Sequence, residues 1–202
     1  MFNSILFIKR AKLIFNLRNC QLIKKNIKIC NFSTRNNLFK EKEVNWNESQ
    51  TLVHLKSKFQ GRCVEISSLE DVPRLLNCFM ESHSKILSNA THPMMYAWRT
   101  GTVSCINSGK FFNIINLNQG CHDNNEAGAG ARILGLLERT KLVNVLVIVS
   151  RWYGGTPLGP ARFRDITEVA TQSLKKGLFL DENNSPIYKL NRNQQTTQRK
   201  RK

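Results

Sequence analysis

The stretch "NVLVIVSRWYGGTPLGPARF", Asn144 to Phe163, decides how the rest of the chain is read. Its opening, "NVLVIVS", is a continuous apolar run rich in β-branched residues and bounded by turn signals. That pattern marks a strand covered on both faces or central in a sheet. At Arg151 the character changes. Gly154 and Gly155 let the backbone turn sharply, and Pro160 suits the first position of a helix. Phe163, Ile166, Ala170 and Leu174 then recur at helical spacing, and Gly177 ends the run after Lys175 and Lys176. The stretch therefore predicts a strand, a glycine turn and a helix.

Working outward, "LVHLKSKFQGRCVEI" (52–66) has strand-like spacing, with Gly61 as a bulge or turn. "SSLEDVPRLLNCFMESHSKIL" (67–87) turns helical, with Val72, Leu75, Leu76, Phe79 and Ile86 on one face. Capping by Asp71 leaves Pro73 where its missing N–H does no harm. "MMYAWRTGTVSCI" and "KFFNIINL" read as strands joined at Asn107-Ser108-Gly109. "DNNEAGAGARILGLLERTK" begins with Asp123 and Glu126 at capping-box spacing and continues as a helix with Ile133, Leu136 and Leu137 inward. The order is strand, helix, strand, strand, helix, strand, helix. This predicts one two-layer α/β domain over 50–180, of α+β type, with helices packed on a mixed sheet.

The 202 residues can bury one good core, and the net charge of +17 is unevenly placed. No acid precedes Glu41, and none occurs in 189–202, so the basicity lies in two tails around a near-neutral body. The first tail mixes Lys and Arg with short apolar clusters; Ile5–Ile8 is too short for a secretory core or a membrane span. Residues 1–45 are read as a mitochondrial (matrix) transit segment cut near Phe32–Thr34, the alternative being an unstructured arm on a cytoplasmic protein. Residues 181–202 are read as a basic disordered tail. Of the six cysteines, Cys20, Cys30, Cys63, Cys78, Cys105 and Cys121, no two form a CxxC pair. No metal and no cofactor is expected.

Around the glycine turn stand Arg151, Trp152, Tyr153, Arg162 and Arg164. A helix start with free N–H groups and nearby arginines suits an anion, so these residues with Gly154, Gly155 and Gly159 form a candidate nucleic-acid or partner site. The competing reading is packing, with Arg164 paired to Glu168 at i,i+4.

These residues carry a family resemblance. "NVLVIVSRWYGGTPLGPARF" resembles the signature of the Impact family, the Impact N-terminal domain shared with bacterial YigZ-type proteins. "ATHPMMYAWR" (90–99) and "DNNEAGAGARIL" (123–134) are similar to two further segments of that family, in the same order. The resemblance covers about 54–178 and implies the fold of the second domain of the fifth small-subunit ribosomal protein. It marks Thr91, His92, Asp123, Glu126 and Phe163 beside the turn residues, without assigning them a role. The chain departs from the family's form in several places. Asn124-Asn125-Glu126 stands where the family has Asp-Gly-Glu, and a short basic segment precedes the domain where cytosolic members carry an RWD domain.

The resemblance implies a non-catalytic module in translation control and the starvation response, meeting RNA, the ribosome or a translation-regulatory protein. The alternative is an enzyme using His92, Asp123 and Glu126 beside the turn from Arg151 to Gly155 for acid–base work. No nucleophile elbow, zincin pair or Walker loop accompanies them.

Overall fold

The computed structural model describes residues 44–106 and 111–188. The proposed transit segment, the hairpin tip at Asn107–Gly109 and the tail beyond Tyr188 lie outside the described residues. Among the described residues, six strands and four helices follow in the order β1 (Asn47–Glu48), β2 (Leu52–His54), β3 (Ser57–Glu65), α1 (Asp71–Ser82), α2 (Ser84–Asn89), β4 (His92–Ile106), β5 (Phe111–His122), α3 (Ala129–Arg139), β6 (Val145–Trp152) and α4 (Ala161–Lys176).

As expected, β6 is central: the sheet order is β1-β3-β6-β4-β5, with β2 also on β3. Every pairing among the described strands is antiparallel, where a mixed sheet was expected. Alternation along β6 divides the core. Val145, Val147 and Val149 face α3 and α4, joining Phe59, Met95, Ile133, Leu137, Ile166 and Leu174. Leu146 and Ile148 face the other way, with Trp46, Ile66, Leu75, Leu76, Phe79 and Trp98. The predicted helix-on-sheet layering is present, and α1 adds a third layer on the second face.

Local departures have physical causes. The turn in 52–66 falls at Leu55 and Lys56, both left-handed (φ 44° and 65°), not at Gly61. Gly61 lies inside β3 because α4 presses on it: a Cβ there would sit 2.3 Å from the Val169 carbonyl oxygen. The 67–87 helix breaks at His83, whose ring stacks on Phe79 with centroids 4.5 Å apart. Asp71 does not act as the N-cap; its carboxylate accepts the N–H groups of Ser67 and Ser68, upstream of the helix. At the C-terminal side, Ile187 donates its N–H to the Phe179 carbonyl and Leu180 bridges Pro186, so packed structure continues past 180 to Tyr188. Cys63 is buried under α4, its Sγ donating to the Ser173 carbonyl, and burial pushes its thiol up to about 12.

Candidate functional site

The end of β6 and the loop before α3 meet on the α3–α4 side of the sheet. Arg151 continues the inward series of Val147 and Val149, which carries its guanidinium into the core edge rather than into water; the residue is only 5% exposed. Opposite it, buried Glu126 accepts from Arg151 Nη1. The same carboxylate faces Arg162 Nε at 2.7 Å, a close ion pair although off the N–H axis, and His92 Nε2 at 3.3 Å. His92 Nδ1 faces the Asn124 carbonyl at 3.1 Å, and because a carbonyl only accepts, that nitrogen carries the proton in this contact. Two guanidiniums therefore share one carboxylate, with an imidazole closing the third side. The Arg151 guanidinium also lies over the rings of Phe59 (5.4 Å) and Tyr153 (5.6 Å).

Asp123 and Glu126 do not form the predicted capping box. Asp123 alone serves the helix, accepting the N–H groups of Gly128 (3.0 Å) and Gly130 (2.8 Å), while Glu126 turns away to the arginines. Local spacing suited a cap, but stranding two guanidiniums without an acid would have cost more than a second capping bond provides. Asn124 and Asn125 are left-handed (φ 48° and 65°). That conformation explains why asparagine can stand where the family has glycine.

The glycine turn is braced from behind. Gly154 lies against the β2–β3 turn, where a Cβ would meet the Lys56 carbonyl carbon at 2.1 Å, and its N–H donates to Ser57 Oγ. Tyr153 N–H donates to Thr91 Oγ1 at 3.0 Å, which gives that family residue a role: it holds the turn to the start of β4. Gly155 and Gly159 are left-handed (φ 87° and 53°) with open space at their Cβ positions. Arg162 Nη1 donates to the Gly159 carbonyl, and its guanidinium lies 4.3 Å over Phe163. Tyr153 and Arg164 point outward, and Trp152 is half-buried. Glu168 is engaged with Gln172, not with Arg164.

The structure thus divides the predicted site. Arg151 and Arg162 join His92 and Glu126 inside, so Arg151 is not an outward anion ligand. Tyr153, Arg164 and Gly155 remain on the surface. Two features were not foreseen: Arg132 over the Phe163 ring at 5.2 Å, and the 2.8 Å pair between His54 and Asp165 that ties β2 to the start of α4. Both join residues remote in sequence, and no local motif announces them. A cavity of about 450 Å³ lined by Thr100, Asn144, Phe179 and Tyr188 among others contains none of the candidate residues. Among the described residues no group of His, Cys, Asp and Glu could hold a metal ion, and no helix is long and apolar enough to cross a membrane.

With this geometry in place, residues 55–174 match the model of the Impact N-terminal domain. The chain belongs to the Impact family. It is 45% identical over 159 residues to the IMPACT family member YDL177C of Saccharomyces cerevisiae, covering 67% of this chain and 93% of that relative. It is 39% identical to the protein IMPACT homolog of Caenorhabditis elegans, covering 65% of this chain but 48% of that one. Among solved structures, the two-domain translational regulator Yih1 aligns at 26% identity and a TM-score of 0.42, over 70% of this chain and 53% of that one. The Impact signature here spans both the internal ionic cluster and the exposed turn.

Proposed function

We propose that the chain is a non-catalytic Impact module acting in translation control through contact with RNA, the ribosome or a regulatory protein. One observation carries the non-catalytic part. His92, Asp123 and Glu126, the groups an acid–base catalyst would use, are each engaged inside the protein, by Asn124, by the start of α3 and by two arginines. Membership of the Impact family supports the setting in translation. The contact surface is the outward side of the turn, Tyr153, Gly155 and Arg164, with Arg151 and Arg162 fixing its shape from within.

Co-sedimentation of the full chain with ribosomes at low salt tests this reading. Arg164→Glu and Tyr153→Ala should each reduce the bound fraction severalfold without lowering the melting temperature. A wild-type chain that stays in the supernatant would remove the ribosome from the proposal. We also propose a mitochondrial setting, from the acid-free first forty residues. Residues 1–45 fused to a reporter should enter mitochondria and be shortened, and replacing Lys9, Arg10 and Lys12 by Glu should keep the reporter cytosolic.

A further inference from the structure

Trp152 is the one tryptophan that the core leaves over. Of three tryptophans, Trp46 and Trp98 are buried in the cluster under α1, whereas Trp152 is half-buried and belongs to neither core cluster. Among the described residues, no ring contact or side-chain hydrogen bond involves it.

Strand register determines its neighbours. Val53 pairs with Lys58, and Lys58 pairs with Trp152. Residues directly opposed in antiparallel strands project to the same face, so the three form a row across the end of the sheet. Alternation from Leu146 and Ile148 places this row on the α1 face, beyond the residues that α1 covers. Val53 is 62% exposed, and Lys58 is exposed. Lys56 stands at the adjoining turn, against the backbone of Gly154. Glu48, on this face, is already held by Arg62 at 2.9 Å and by Gln60 at 3.1 Å. Among the described residues neither Lys56 nor Lys58 forms an ion pair.

We infer that this row binds single-stranded RNA, a base stacking on the Trp152 indole while Lys58 and Lys56 hold the flanking phosphates. An accessible ring beside unpaired cations is the arrangement that tracks a single strand with little regard to sequence. The inference rests on the RNA-contact reading above and adds to the outward Tyr153 and Arg164 a second contact, on the opposite face of the same strand.

The test uses the full chain and a twelve-nucleotide oligouridylate at low salt, read by intrinsic tryptophan fluorescence and by filter binding. The basic tails contain no tryptophan, so quenching reports contact at Trp152 whatever the tails do. Wild type should be quenched on binding. Trp152→Phe should lose the quenching and keep most of the affinity, and Trp152→Ala should bind about tenfold more weakly. Lys58→Glu should weaken binding and lower the slope of log affinity against log salt by about one unit. If Trp152→Ala does not fold, Trp152→Phe and Lys58→Glu decide the question. Binding without quenching, unchanged in those two variants, would overturn the row and leave RNA contact elsewhere. No binding of oligouridylate by wild type at low salt would overturn RNA contact itself and point to a protein partner.

Discussion

An arginine holds α3 at each end, and the two do it by different chemistry. At the start, Arg151 reaches the helix through Glu126, a buried carboxylate it shares with Arg162 and His92. At the finish, Arg99 bonds to no acid directly: its guanidinium donates to the carbonyls of Leu137 and Leu142 and to the side chain of Gln119, which in turn donates to Glu138. Both arginines are buried, and burial lowers the Arg99 pKa from its ordinary value. The carbonyls at a helix end carry partial negative charge, so Arg99 is bonded to dipoles, and the exposed Glu138 carboxylate acts on it only through its field. The Arg151 end concentrates full charges around one shared acid. The first arrangement is a clamp. The second is a hub, in which removing a single group strands several others.

That difference can be broken most severely at the acid. Glu126→Ala should cost about 3 kcal/mol in urea denaturation, toward the low end for a broken buried pair because Arg162 is partly exposed. Glu126→Gln should recover part of the loss by keeping an acceptor. At the clamp, Arg99→Ala leaves two carbonyls without their donor and should cost about 2 kcal/mol. Because no buried charge is stranded there, the loss should depend less on salt than that of Glu126→Ala. Asp123→Ala removes only the local bonds to Gly128 and Gly130 and should cost about 1 kcal/mol, leaving the hub in place.

The smallest effect belongs to α1, which neither device supports. The Arg74 guanidinium and the Ser67 N–H hold the Asp71 carboxyl below its usual range. A depressed carboxylate stabilises the fold at pH values above its unfolded pKa, and that contribution is lost as pH falls through the folded value. Asp71→Asn should therefore lower the melting temperature slightly near neutrality and converge with wild type in acid. A constant difference across that range would assign the residue's effect to geometry, not charge.

The parts legible in the sequence were those set by local pattern. The apolar run of β6 and the Pro160–Gly177 bracket of α4 each follow from neighbours along the chain. The hub did not follow from such signals. Glu126 stands three residues after Asp123, a spacing that a cap explains fully, and its partners come from β4, β6 and α4. Arg151 looked like an exposed cation because charge usually seeks water, yet strand alternation alone would have turned it inward with Val147 and Val149. The β2–β3 turn was missed because Leu55 and Lys56 are ordinary residues in a left-handed turn, while Gly61 was needed only where α4 crosses. Close approach between remote segments leaves little mark in either segment by itself.

The Cys63 thiol gives the domain an internal record of its own opening. With its proton held until about pH 12 and its sulfur sealed between β3 and α4, it cannot react with an alkylating agent while those elements stay together. Every molecule labelled at Cys63 has at some moment separated the strand from the helix, so label accumulating there counts the openings of the core. Cys121, exposed on β5, would take label from the folded state. The chain therefore carries a surface thiol that reports exposure to reagent and a core thiol that reports how often the fold lets go.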